Sequence, residues 1–238
     1  MKIDILAIGV HPDDIELSCS GTLLHHIAMG KTVGLLDLTC GELGTRGSAE
    51  IRLKEAAAAS KLIGARVRGN LEMEDGFFEY TKENMLKIVE IIRLMRPEII
   101  LANAISDRHP DHGRAAKLTA DACFYAGLRR IETEWEDEAQ EPWRPKAVYH
   151  YIQDHNLKPD FVVDITPYMD QKMEVIQAYK SQFYDPESDE PNTPISGKGF
   201  LEFVKGKNAM YGRPAGFLYG EGFTVARTMG VTNLFDLK

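Results

Sequence analysis

The sequence predicts an α/β protein, a Rossmann-like three-layer sandwich with a mostly parallel sheet and helices on both faces. Short apolar runs alternate with segments of helical period along most of the chain, and that alternation implies right-handed crossovers between parallel strands. The helical segments carry their own stop signals, with Gly30 and Gly64 just past two of them and Pro97 after a third. No linker, internal repeat or low-complexity tract interrupts the pattern, so residues 1–238 are expected to form one domain.

In order, residues 3–10 read as a first strand and 15–29 as a helix. Residues 32–39 (TVGLLDLT) form a second strand, and the alanine-rich 49–62 a second helix. Residues 66–71 are a weak strand. Residues 82–95 are an amphipathic helix, with Ile88, Ile91, Ile92 and Met95 at helical spacing. A strand at 98–102 and a helix at 113–126 complete the repeat. Residues 129–144 are charged and irregular and read as a surface excursion. Strands at 147–152 and 161–164 follow, then a helix at 167–181 with proline in its first turn. Residues 185–199 (DPESDEPNTPISGKG) read as a long loop, a candidate lid, and residues 200–223 as a glycine-rich tail.

Hydrophobic residues make up 44% of the 238, and the formal net charge is -8. That balance disfavours nucleic acid or an anionic membrane as a partner. Cys19, Cys40 and Cys123 are odd in number and lack metal or disulfide spacing, so they read as reduced thiols. No charged leader precedes a cleavable apolar segment, and no run approaches the ~18 apolar residues of a membrane span. A soluble cytoplasmic protein is expected.

Two segments carry chemistry. Gly9-Val10-His11-Pro12-Asp13-Asp14 ends the first strand, and Asp107-Arg108-His109-Pro110-Asp111-His112 follows the strand at 98–102. Open α/β sheets bind ligands beyond the carboxyl ends of their strands. A catalytic zinc takes about three His, Asp or Glu ligands and keeps a position for water. His11 and Asp14 are three apart, as are His109 and His112, a spacing that shares one side of a turn entering a helix. Of the adjacent Asp13 and Asp14, one suits the metal and its neighbour the role of general base. Of His109 and His112, one suits the metal and the other the oxyanion and the departing amine. Asp111 could orient the histidine. A purely structural reading makes Asp13, Asp14 and Asp111 helix caps, but caps do not call for paired histidines. His25, His26, His150 and His155 read as structural.

The His-Pro-Asp-Asp and His-Pro-Asp-His segments resemble those of the PIG-L/LmbE-like zinc N-deacetylases. The likeness extends through residues 39–47 (TCGELGTRG), 52–56 (RLKEA), Glu74-Asp75-Gly76, 180–183 (KSQF) and Tyr219-Gly220-Glu221. It implies His11, Asp14 and His112 as zinc ligands, Asp13 as general base, His109 as oxyanion stabiliser and acid, and Asp111 as the residue holding His109. The branch resembled most deacetylates N-acetylglucosaminyl-malate in bacillithiol biosynthesis. Other N-acetylglucosaminides (a mycothiol precursor, chitobiose or an antibiotic pseudo-disaccharide) are the alternative, and a non-catalytic ligand-binding module is a third reading. For an acidic substrate, Arg52 and Arg108 are the candidate carboxylate grips, and the likeness assigns Asp75 to a sugar hydroxyl. The same N/O ligands also accept ferrous iron. The resemblance further implies a homo-oligomer, hexameric in relatives, and a small glycoside as the only partner.

Overall fold

The computed structural model describes residues 2–237. In chain order the strands are β1 (Ile5–Gly9), β2 (Val33–Thr39), β3 (Val67–Met73), β4 (Ile99–Ala102), β5 (Glu134–Trp135), β6 (Glu138–Ala139), β7 (Ala147–Tyr151), β8 (Phe161–Asp164) and β9 (Gly220–Val225). The helices are α1 (Asp14–Ala28), α2 (Ala49–Ile63), α3 (Lys82–Met95), α4 (Pro110–Ala126), α5 (Met169–Ile176) and α6 (Phe200–Gly212). A seven-stranded sheet runs in the order β3-β2-β1-β4-β7-β9-β8. Within it β3, β2, β1, β4 and β7 are parallel, and β9 lies antiparallel between β7 and β8.

β1 is buried along its whole length, as a central parallel strand must be when helices cover both faces. Its side chains alternate between two cores. Leu6 and Ile8 join Ile88, Ile92 and Leu118 under α3 and α4. Ile5 and Ala7 join Leu23, Ile63, Ile176 and Val204 under α1, α2, α5 and α6. Among the described residues no helix is long and apolar enough to cross a membrane.

β1 has β2 on one side and β4 on the other, so the strand order reverses there. A crevice opens beyond the carboxyl ends of β1 and β4, at a topological switch point. The two segments with the histidines leave the sheet at this crevice.

Three expectations need correction. α4 begins at Pro110, three residues early, because proline fits the first helical position; Asp111 and His112 therefore lie inside its first turn. α5 stops at Ile176 rather than 181. The excursion at 129–144 holds a two-stranded hairpin, β5 paired with β6. The glycine-rich tail, given no element from the sequence, holds α6 and most of β9. Its glycines serve packing: a Cβ on Gly212 would stand 2.8 Å from the Gly220 nitrogen, so α6 and β9 can touch only without one.

Beneath α1, Lys172 Nζ meets Glu221 Oε1 at 2.7 Å, with both side chains buried. Glu221 also accepts from the Gly21 and Thr22 amides. Replacing Lys172 with Met leaves that carboxylate charge unpaired in the interior. We expect a loss of about 3–5 kcal/mol in denaturant unfolding; a loss under about 1 kcal/mol would show the pair to be dispensable.

Candidate active site

The turn after β1 separates its two carboxylates. Asp14 is the first residue of α1, and its Oδ2 accepts from the amides of Val10 (3.0 Å) and His11 (2.9 Å). Asp13 sits at φ 116, a conformation that a side chain other than glycine rarely adopts. Such strain is held by its surroundings and clusters at functional sites. Here it turns the Asp13 carboxylate away from Asp14 and toward Arg52, whose Nη2 donates to Asp13 Oδ2 at 3.2 Å.

The second segment comes across from β4. His112 Nε2 lies 3.2 Å from Asp14 Oδ1, while its Nδ1 meets Asp107 Oδ2. A carboxylate behind a histidine fixes the tautomer and aims the other nitrogen, as is common for metal-binding histidines. His11 Nδ1 lies 3.7 Å from Asp14 Oδ2. Its Nε2 faces Asp75 Oδ1 at 3.0 Å and Asp111 Oδ2 at 3.4 Å. One ring nitrogen each of His11, His109 and His112 lies within 4.8 Å of the others, and His11, Asp75 and Asp111 form a second such group. The donor set is hard and mixed, N and O, and suits zinc or ferrous iron.

His109 is the N-cap of α4. Its Nδ1 accepts from the Asp111 amide at 3.3 Å, so in the neutral ring Nε2 carries the hydrogen. Asp111 meets His109 through its amide and not through its carboxylate. The Asp111 carboxylate instead accepts from the Gly76 amide and Arg114 and faces His11, because its place inside the first turn directs it toward the loop after β3.

Charge follows this packing. Burial pulls His11 and His112 down, but the carboxylates around them prevail and raise them to about 10 and about 9. Burial raises Asp13 to about 7, only partly offset by Arg52. Asp14 resists burial and stays below the usual carboxylate range, held there first by His112. Burial, followed by the charges of His11 and His112, keeps His109 below an ordinary histidine.

Without metal, His11 and His112 are therefore imidazolium cations at pH 7, and a metal needs both rings neutral. Zinc added to metal-free protein in weak buffer at pH 7 is expected to release about two protons per ion; none released would show that both rings are already neutral without metal. The sign for stability is the reverse of the carboxylate case. Both histidines sit above the unfolded value of ~6.5, so their contribution to the metal-free fold is complete below that pH. It fades as pH rises through about 9 and about 10.

The sequence reading missed three residues. Gln153 Nε2 donates to Asp14 Oδ1 at 2.9 Å and lies 3.3 Å from His112 Nε2. Asn103 donates to Asp14 Oδ2 at 2.9 Å. Asp107 was within the segment but had no role. Asn103 and Gln153 sit at the ends of β4 and β7, at adjacent strand ends of the same crevice, and strand order was the signal that could have found them.

The candidate substrate residues are placed less simply. Arg52 is buried; beyond Asp13 it donates to Pro12 O at 2.5 Å and Gly41 O at 3.2 Å. Gly41 makes this slot, since a Cβ there would lie 2.0 Å from Arg52 Nη1. Arg108 lines the cleft, but its Nε donates to Asp154 at 2.8 Å. Asp75 lines it as well and accepts from the Leu43 amide at 3.0 Å. The loop at 185–199 brings Ile195 to the cleft wall, and Glu190 ties it to Arg46 and the Gly47 amide.

The PIG-L family model, described as GlcNAc-PI de-N-acetylase, matches residues 6–123. Diacetylchitobiose deacetylase of Thermococcus kodakarensis is 29% identical over 230 residues, 92% of this chain and 81% of that one. The crystal structure of the conserved protein TT1542 from Thermus thermophilus superposes with a TM-score of 0.85. It is 36% identical, over 97% of this chain and 98% of that one. The probable N-acetyl-alpha-D-glucosaminyl L-malate deacetylase 2 of Bacillus anthracis is 24% identical, over 75% of this chain and 81% of its own. The likeness to the malate branch is thus weaker than the sequence reading held.

Proposed function

The chain belongs to the PIG-L family of metal-dependent deacetylases acting on N-acetylglucosaminide-type substrates, and from that premise we propose that it deacetylates an N-acetylglucosaminide whose second half is a neutral sugar. The observation that carries this reading is the state of Arg52. A malate conjugate needs a free guanidinium fork for its carboxylates; Arg52, buried beside the general base, is filled by Asp13 and two carbonyls, which leaves only the exposed Arg108, whose Nε is on Asp154. The diacetylchitobiose deacetylase match across nearly the whole chain supports the same choice.

In this reading His11, Asp14 and His112 hold the metal, zinc or ferrous iron. The bound ion supplies an acidified water and a polarised acetamide carbonyl. Asp13 takes the water's proton: burial raises its carboxyl above the usual carboxylate range and so makes it more basic, and Arg52 fixes its orientation. His109 presents Nε2–H to the developing oxyanion; a neutral imidazole donates that hydrogen bond without being protonated first, and the proton that Asp13 took from the water passes to the departing amine as the C–N bond breaks. Asp107, Gln153 and Asn103 hold His112 and Asp14 in place. Asp75 and Asp111 face His11 and keep its ring from turning, and Asp75 is also offered to a sugar hydroxyl at the cleft.

The test is acetate release from N,N'-diacetylchitobiose beside N-acetylglucosaminyl-malate, with metal-replete enzyme. A higher kcat/KM on the disaccharide is expected. Preference for the malate conjugate would place a carboxylate on the Nη edge of Arg108, which Asp154 leaves open, and would return the protein to the malate branch.

A further inference from the structure

The metal cluster has a second chamber against it that the chemistry above leaves unused. Chamber and cleft share Asp14, Leu17, Arg108, His112 and Ile195 in their walls, so the two meet at the proposed ligands. The chamber measures about 90 Å³, room for several waters at roughly 10–15 Å³ each on that measure. That holds an acetate with its hydration. Leu17, Ile152 and Val204 supply apolar wall, and α6 sends in Val204, Lys207 and Tyr211 from one side at helical spacing.

Its cations are not equivalent. Arg108 is engaged by Asp154 at 2.8 Å, and the neighbouring Lys172 by Glu221 at 2.7 Å. Lys207 makes no ion pair among the described residues; its Nζ donates one long bond, 3.4 Å, to Ile152 O. Burial, with Lys172 adding to it, pushes its ammonium down to about 8 against the pull of Asp107 and Asp154. This is a cation with too little counter-charge, lodged beside a centre that generates an anion. Hydrolysis of an acetamide forms a C–O bond at the acetyl carbon, breaks the C–N bond, and leaves acetate beside an amine.

We propose that this chamber is the acetate-release site of the enzyme, with the acetate methyl against Leu17, Ile152 and Val204 and its carboxylate on Lys207. The proposal rests on the deacetylase reading. Its probe is sodium acetate as product inhibitor at constant ionic strength. In Lys207→Met the inhibition constant for acetate is expected to rise roughly ten-fold or more, with KM for the glycoside little changed. Lys207→Arg is expected to restore inhibition. Val204→Trp, which fills the chamber and leaves the charge, is expected to weaken it independently, with thermal unfolding as the folding control. Acetate inhibition unchanged in Lys207→Met and Val204→Trp would overturn the proposal alone. A KM for the glycoside that rises in step with the acetate constant would also overturn it, by assigning Lys207 to the sugar. Absence of turnover in the unmutated enzyme would overturn the deacetylase reading, and the proposal with it.

Discussion

Replacing Asp13 with Asn is expected to lower turnover by about 10²–10⁴-fold while leaving the protein folded and metal-replete. The substitution keeps the side-chain shape and removes the basic oxygen. Asp13 faces Arg52 rather than the histidines, so the ligand set is untouched. The loss should fall on kcat more than on KM, because a general base acts in the transition state. Acetate release with metal content measured on the same sample decides it. Parent-like activity in Asp13→Asn would remove the base from the mechanism. Lost metal would place Asp13 among the ligands.

Replacing Asp14 with Ala is expected to abolish both metal and activity, the converse of Asp13→Asn. The Asp14 carboxylate lies between His11 and His112 and accepts from two amides, Asn103 and Gln153. Its removal takes away a ligand and orphans buried donors, so stability falls as well, by about 1–3 kcal/mol. Asp14→Asn separates the two effects: it keeps much of the bonding but lacks the charge, and metal content after dialysis should still fall well below one ion per chain. Stoichiometric, tightly held zinc in Asp14→Ala would overturn the ligand assignment.

Much of the frame was legible because its signals are local. β1 and β4 are continuous apolar runs followed by His-rich turns, and the glycine stop of α2 and the Pro97 that follows α3 are written in single residues. The grouping of His11, Asp14, His109 and His112 followed from placing both turns at strand ends. What failed was non-local. β9 is hidden by Gly220 and Gly222, which weaken strand propensity but allow α6, Ile152 and Tyr211 to come close. The roles of Gln153 and Asn103 depend on β7 lying beside β4, which no single segment encodes. Arg52 reads as a free cation at the start of a helix, yet it is spent on Asp13 across a gap that only Gly41 leaves open. The same distance effect governs Asp111. One residue inside the helix rather than before it, its carboxylate meets His11 and Arg114 instead of His109.

The division of labour between Asp13 and Asp14 depends on where the metal sits, and the histidines offer more than one place. Diffraction from zinc-loaded crystals at the zinc absorption edge locates it directly. The expected result is one anomalous peak about 2.0–2.2 Å from His11, Asp14 and His112, with Asp13 outside the coordination sphere. A peak shared by His11, Asp75 and Asp111 would contradict the assignment of ligands and base together.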